Sequence, residues 1–146
     1  MCSFVLCAFP TFGKSFFDQW YRDTPGTNYA SIFSHRRRLA LWDSVRQSRD
    51  RHNQAFTGEL HTVFTVTGAG GSLAVRGDDD VYVFIDKKLV IDLGGAHVAK
   101  SLEISIDDLG LTLGQTYPLD VFYAERLGAT GDLAIRTTLA LKPVEY

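Results

Sequence analysis

The sequence predicts an all-β fold, either a sandwich or a barrel, for two reasons. Helical periodicity is scarce, and short runs rich in β-branched and aromatic residues recur with glycine-containing turns between them. Two of these runs, HTVFTVTG and DLAIRTTLAL, partly alternate between apolar and polar residues, as half-buried strands do. The other runs are SLAVRG, VYVFID, KLVIDLGG, SLEISIDDLG and YPLDVFYAE.

Length and composition predict a single domain spanning 1–146. The chain has 146 residues, of which 45% are hydrophobic, and this composition is ordinary for a globular protein. The net charge of -2 does not favour a nucleic-acid partner. No apolar run approaches the ~20 residues of a membrane span, and the first ten residues lack the basic start and cleavage site of a secretory signal. We expect a soluble domain without membrane insertion, of a kind that a larger protein can carry.

The one candidate for a helix is the arginine-rich segment at residues 35–52. Leu39, Trp42 and Val45 recur there at a spacing of three, with basic residues between them. The segment is either a short amphipathic helix or an ordered excursion. Its six arginines form either a solvated face or a docking surface for an anionic partner, and it lacks the interleaved aromatics of a base-stacking surface.

Three consecutive aspartates, Asp78, Asp79 and Asp80, directly precede the apolar run at residues 81–85. Neighbouring carboxylates raise each other's pKa unless a cation or hydrogen-bond donors compensate them. The run is therefore either a site for a cation such as Ca²⁺ or a turn whose backbone N–H groups the aspartates cap. Successive side chains of a strand point to opposite faces, so two neighbours reach one ion only at a sharp turn or a cis peptide.

The segment that follows the aspartates reads as a tight hairpin. A two-residue turn at residues 87–88 places Gly94 opposite Val81. The same count places His97 opposite Asp78. The acidic run and the loop containing His97 then share one end of the sheet, where loops on a rigid scaffold commonly bind ligands.

Several of these motifs together resemble the fibro-slime domain, a branch of the PA14 superfamily found in secreted and cell-surface proteins. The likeness covers nearly the whole chain, and its central motif, residues 75–97, matches at more than ten positions without gaps. It implies a PA14-like antiparallel β-sandwich with long loops and at most one or two short helices. The other matching segments are FDQWYRDTPGTN, HTVFTVTG, DDLGLTLGQTYPLDVFYAER and GDLAIRTTL.

The resemblance also implies a metal site. Several lectin-like PA14 domains hold Ca²⁺ on an Asp-Asp pair joined by a cis peptide, and the ion chelates sugar hydroxyls. Asp78 and Asp79 align with that pair. In the later loop, Asp132 corresponds to a side-chain ligand, and Gly128 or Thr130 to carbonyl ligands.

Other residues near the acidic run have two interpretations each. Asp80 is a third contact or a solvated or capping acid. His97 is a ligand contact or a structural histidine that bonds loop backbone. Arg126 reaches a sugar or forms an ion pair within the domain. Asp107 and Asp108 are expected to cap a short helix or turn.

The function that the resemblance implies is an extracellular or cell-surface module for carbohydrate binding and adhesion, with Ca²⁺ as cofactor. Glycans or surface glycoconjugates are the expected partners, together with other copies of the parent surface protein. The alternative is a structural self-assembly or protein-interaction module in which Ca²⁺ is structural or absent. No nucleophile motif, phosphate loop or zinc-ligand spacing is present, so we expect no enzyme.

Overall fold

The computed structural model describes residues 2–7, 28–33, 56–126 and 131–144, and it describes side chains for residues 57–126 and 131–144. Within these ranges the chain forms ten strands and one short 3₁₀ helix, which confirms the predicted all-β class. The candidate helix at residues 35–52 lies outside the described residues. The described part contains no helix long and apolar enough to cross a bilayer.

The described strands form two antiparallel sheets, which confirms the predicted sandwich. The larger sheet has the order β2-β1-β3-β8-β5-β6, with β10 also paired to β3, and the smaller sheet has the order β7-β4-β9. The strands are β1 (Cys2–Cys7), β2 (Asn28–Phe33), β3 (Phe56–Thr65), β4 (Ser72–Gly77), β5 (Asp80–Ile85), β6 (Lys88–Leu93), β7 (Lys100–Ser105), β8 (Thr116–Glu125), β9 (Leu133–Thr137) and β10 (Lys142–Pro143).

The hydrophobic core takes residues from both sheets. In β5 the alternate residues Val81, Val83 and Ile85 are buried in it, and β4 contributes Leu73 and Val75. A strand sends alternate side chains to opposite faces, so the residues between them in β5 lie on the other face of the larger sheet, where they are partly exposed. The remaining buried members of the core are Phe64, Ile91, Ile106, Leu119, Val121 and Tyr123.

The hairpin between β5 and β6 turns one residue earlier than predicted. Ile85 pairs with Lys88, so the turn is formed by Asp86 and Lys87 and not by residues 87–88. Both turn residues have positive φ, 51° and 64°, as in the tight turns whose twist matches that of the flanking strands. The predicted position of the turn was wrong because both turn residues adopt the left-handed conformation although neither is glycine, the residue that usually marks such a turn.

A register shift in the same hairpin changes the predicted pairing further along. The shift lies between Val83 and Phe84 and adds one residue to β6. The turn at Asp86 and Lys87 alone would pair Val81 with Asp92, and the shift moves this pairing to Leu93, one residue from the predicted Gly94. The error is a single residue, so the acidic run and the loop after β6 still meet at one end of the sheet.

The short 3₁₀ helix spans Ile106–Leu109 and is capped by Ser105, whose side chain accepts a hydrogen bond from the backbone of Asp107. Asp107 and Asp108 were expected to cap a short helix or turn. Both lie inside the first turn of this helix and do not provide its N-cap, but Asp107 caps a turn elsewhere. The Asp107 carboxylate instead accepts a hydrogen bond of 2.9 Å from the backbone N–H of Gly70. It caps a turn in the loop between β3 and β4.

On the face of the larger sheet away from the core, His61 lies between two carboxylates. Its Nδ1 is 2.7 Å from Asp120 Oδ1 and its Nε2 is 2.9 Å from Glu59 Oε2. Burial lowers the pKa of His61, but the hydrogen bonds and charges of Asp120 and Glu59 outweigh it, so the pKa is raised above 6.5. The charged form of His61 therefore stabilises the folded protein.

We predict that Lys87→Gly stabilises the protein, because glycine relieves the left-handed strain at this turn position. The expected gain in the free energy of unfolding is about 0.5–1 kcal/mol. Lys88→Gly is the matched control, since Lys88 belongs to β6 and glycine there weakens a strand. Urea denaturation of both variants checks the assignment of the turn, and stabilisation by the control alone would contradict it.

We also predict a pH dependence from His61. Because the folded pKa is raised, the contribution of His61 is complete below about pH 6.5 and is lost as the pH rises through the folded value. His61→Gln should therefore cost more free energy of unfolding at about pH 6 than at about pH 8.5. Denaturant titrations of wild type and variant at both pH values measure this difference. Equal costs at the two pH values would contradict the assignment.

Candidate functional site

The acidic run forms the sharp turn that carries the chain from the smaller sheet into the larger one. β4 ends at Gly77 and β5 begins at Asp80, so Asp78 and Asp79 make the connection. Asp79 has a φ of 49°, a left-handed conformation that aspartate tolerates better than most residues. No cis peptide bond occurs among the described residues. Of the two backbone geometries considered, the described chain has the sharp turn, and the two carboxylates accept hydrogen bonds from different partners.

Asp78 joins this turn to the start of β9. Its Oδ1 accepts hydrogen bonds from the backbone N–H of Asp132, at 2.6 Å, and from the hydroxyl of Tyr123, at 3.2 Å. Its own N–H donates to the Asp132 carbonyl at 3.1 Å. The Asp132 carboxylate accepts a hydrogen bond of 2.7 Å from Arg76 at the surface. Asp132 is thus next to Asp78 as predicted, but its backbone makes the contact.

Asp79 joins the turn to two further loops and is only 5% exposed. Its Oδ1 accepts a hydrogen bond of 3.3 Å from the backbone N–H of His97, after β6. Its Oδ2 accepts one of 2.7 Å from the backbone N–H of Arg126, after β8. The Asp79 N–H also donates to the His97 carbonyl. The predicted proximity of the acidic run to the His97 loop is confirmed.

Asp80 is fully buried, and donors from three segments surround its carboxylate. The guanidinium of Arg126 binds both oxygens through Nε and Nη2, and this contact raises the pKa of Arg126. Oδ1 also accepts hydrogen bonds from the N–H of Gly95, at 2.7 Å, and the hydroxyl of Tyr82, at 3.0 Å. Of the two roles considered for Arg126, the described contacts are those of an ion pair within the domain.

Two tyrosine hydroxyls remain protonated beside these acids. Burial, then the charge of Asp80, raises the pKa of Tyr82 to about 12. Burial, then the charges of Glu125 and Asp78, raises the pKa of Tyr123 as well. The Tyr123 hydroxyl lies 3.2 Å from Asp78 Oδ1 and 3.2 Å from Oε2 of the buried Glu125. Both hydroxyls therefore serve as neutral donors to carboxylates near neutral pH.

The ring of His97 contacts loop backbone. Its Nε2 is 2.9 Å from the carbonyl oxygen of Leu93, and its Nδ1 is 2.9 Å from that of Val98. These contacts hold together the loop that presents its backbone to Asp79. They are the contacts of the structural alternative considered for His97.

A Ca²⁺ ion prefers carboxylate and carbonyl oxygens as ligands. Asp78 and Asp79 have the right chemistry, and Asp78 Oδ2 accepts no hydrogen bond from the described residues. Both oxygens of Asp80 are bound by Arg126. In the part of the chain that the structure describes, no three His, Cys, Asp or Glu side chains are grouped to hold a metal. The open Oδ2 of Asp78 is compatible with a cation, whereas both oxygens of Asp79 already accept backbone hydrogen bonds, so the ligand roles of Asp78, Asp79 and Asp132 stay predictions.

Some of the predicted metal ligands lie outside the described residues, and the sequence analysis missed two side chains that hydrogen-bond to the aspartates. The predicted ligands outside the described residues are Gly128 and Thr130. The missed side chains are Tyr82, which donates to Asp80, and Tyr123, which donates to Asp78. A period-2 count would have found Tyr82, because it follows Asp80 by two residues on the same face of β5. Tyr123 is related to Glu125 in the same way on β8.

We predict that Gly94→Ala perturbs this site by steric conflict. A Cβ at Gly94 would lie 2.5 Å from the hydroxyl oxygen of Tyr82, which donates to Asp80. The expected loss in the free energy of unfolding is about 1–3 kcal/mol. Gly68→Ala is the control, because a Cβ there meets nothing within 4 Å. Urea denaturation compares the two, and equal midpoints for Gly94→Ala and wild type would contradict the close approach.

Comparison with known proteins identifies relatives along most of the chain. Protein psiC of Dictyostelium discoideum is 45% identical over 95 residues, covering 65% of this chain and 18% of psiC. Protein psiD of the same organism is 49% identical over 88 residues, covering 60% of this chain and 17% of psiD. The chain thus spans less than a fifth of the length of these relatives.

Among solved structures, a β-glucosidase from Kluyveromyces marxianus aligns with a TM-score of 0.40 and 15% identity, covering 62% of this chain and 12% of that one. An alignment at this TM-score and identity supports no conclusion about fold or function. The family model described as the PA14 domain matches residues 17–145. The resemblance seen in the sequence motifs is confirmed, and the chain belongs to the PA14 domain family.

Proposed function

We propose that this domain is a carbohydrate-binding and adhesion module whose sugar binds at the Asp78–Asp79 turn with the help of Ca²⁺. Membership of the PA14 family supports the general function. The observation that carries the site is the pair of adjacent carboxylates on a sharp turn, with Asp78 Oδ2 left without a donor among the described residues. This end of the sandwich also gathers the loops after β6 and β8.

In this proposal the residues of the acidic run have separate roles. Asp78 and Asp79 provide carboxylate oxygens for the cation, and Gly128 or Thr130 would add carbonyl oxygens. Asp80 is not a ligand, because it is neutralised by Arg126. When bound, Ca²⁺ supplies coordination positions that two neighbouring sugar hydroxyls can fill. The remaining carboxylate lone pairs accept hydrogen bonds from those hydroxyls.

Affinity for a single sugar should be weak, on the order of millimolar, because such a contact buries few atoms. Several binding sites in one larger protein, or several copies at one surface, would raise the overall affinity through effective concentration. We therefore propose an extracellular or cell-surface setting, with glycans or surface glycoconjugates as partners. PA14 domains serve as non-catalytic modules, and we propose no catalytic role for this one.

A second candidate function is based on the hydrogen bonds that the three aspartates already accept within the domain. Asp78, Asp79 and Asp80 accept hydrogen bonds from three different loops, as the acids of a purely structural junction would. The domain would then be a structural self-assembly or protein-interaction module, with Ca²⁺ structural or absent. The two candidates differ in whether sugar binding depends on the ion.

Calorimetric titration of the chelator-treated protein with Ca²⁺ tests the proposal. We expect saturable binding in wild type and a loss of at least about tenfold in the double variant Asp78→Asn, Asp79→Asn, because both ligand charges are removed. Asp108→Asn is the control, since Asp108 is exposed and lies in the 3₁₀ helix. Binding of glycans on an array should then vanish with chelator. A folded wild type that binds no Ca²⁺ would favour the structural candidate.

A further inference from the structure

Arg126 is the one described residue that contacts two of the three aspartates through different groups. Its backbone N–H donates to Asp79 Oδ2 at 2.7 Å. Its guanidinium binds both oxygens of Asp80. Asp79 and Asp80 are consecutive, so the two contacts lie at the same corner of the sandwich. The placement of one therefore constrains the other.

The Asp80 carboxylate is held in place independently of Arg126. The Tyr82 hydroxyl reaches it from within β5, and the Gly95 N–H reaches it from the loop after β6. Asp80 is fully buried, so protein groups and not bulk water satisfy its carboxylate. The guanidinium thus binds an acceptor that β5 and the loop after β6 already hold, and this contact tethers Arg126 at the end of β8.

We propose that Arg126 is the positioning residue of the acidic turn. By binding Asp80 through its side chain, it holds its own backbone N–H against Asp79 and sets the direction in which the Asp79 carboxylate points. Arg126 then acts on a ligand through Asp79 and not by touching a sugar. The effect on Ca²⁺ affinity rests on the function proposed above, whereas the orientation of Asp79 does not.

The residue type matters because the guanidinium is a planar fork. It binds both oxygens of one carboxylate at once, whereas the ammonium of lysine is a single point charge. Arg126→Lys keeps the positive charge and loses the fork. It therefore separates positioning from simple neutralisation of Asp80.

The test compares hydrogen exchange with Ca²⁺ binding in matched variants. In Arg126→Lys and Asp80→Asn, the backbone amides at positions 97 and 126, which donate to Asp79, should exchange at least about tenfold faster than in wild type. Amides of the core strands should exchange as before, which shows that the fold is kept. Calorimetric Ca²⁺ affinity should fall by about tenfold in both variants. Arg136→Lys is the control, because Arg136 is exposed on β9, and it should change either quantity less than about twofold.

Tyr82→Phe gives a milder second variant if the ion-pair variants do not fold. It removes one donor to Asp80 and leaves the charges in place, so it should speed exchange at position 126 by a smaller factor. Unchanged exchange at both positions in folded Arg126→Lys or, where that does not fold, in Tyr82→Phe would overturn the inference. If wild type binds no Ca²⁺, the proposed function fails, and the exchange comparison still decides whether Arg126 positions Asp79.

Discussion

The loop end of this sandwich depends on the buried ion pair between Asp80 and Arg126. Taking a carboxylate out of water costs several kcal/mol, so a fully buried aspartate requires both a counter-charge and further donors. Those groups come from β5, from the loop after β6 and from the end of β8. Each segment must be in place before the charge is satisfied, and removing Arg126 costs about 3–5 kcal/mol because the charge of Asp80 is then left buried.

The pair also explains how three adjacent aspartates coexist. Mutual repulsion would be severe if all three faced one point, but each takes different donors. Asp78 binds the start of β9, Asp79 binds backbone of two loops, and Asp80 binds a cation of the chain itself. With the charge of Asp80 neutralised, the acids proposed as ligands are Asp78 and Asp79, and of these Asp78 has the oxygen without a donor among the described residues. The acidic run thus separates into two buried acids, Asp79 and Asp80, and the partly exposed Asp78.

The fold class could be predicted from the sequence, because period-2 patterns and turn residues indicate strands. The contact between the acidic run and the His97 loop could be predicted as well, because both flank the same hairpin. It failed on details set by tertiary geometry. The turn at Asp86 and Lys87 contains no glycine, so the sequence did not indicate which two residues adopt the left-handed conformation. An ion pair of Arg126 within the domain was one of its two predicted roles, but its partner Asp80 lies 46 residues away and no local pattern identified it.

The use of individual oxygen atoms bears on which of the two candidate functions is the stronger. An acid whose purpose is structural is expected to engage both oxygens, and Asp79 and Asp80 do so. Asp78 places both of its described hydrogen bonds on Oδ1 and leaves Oδ2 without a donor in the described part of the chain. It is also only partly buried, so an exchangeable ligand can reach it. The open Oδ2 of Asp78 is therefore the observation that favours the proposed binding role over a purely structural one.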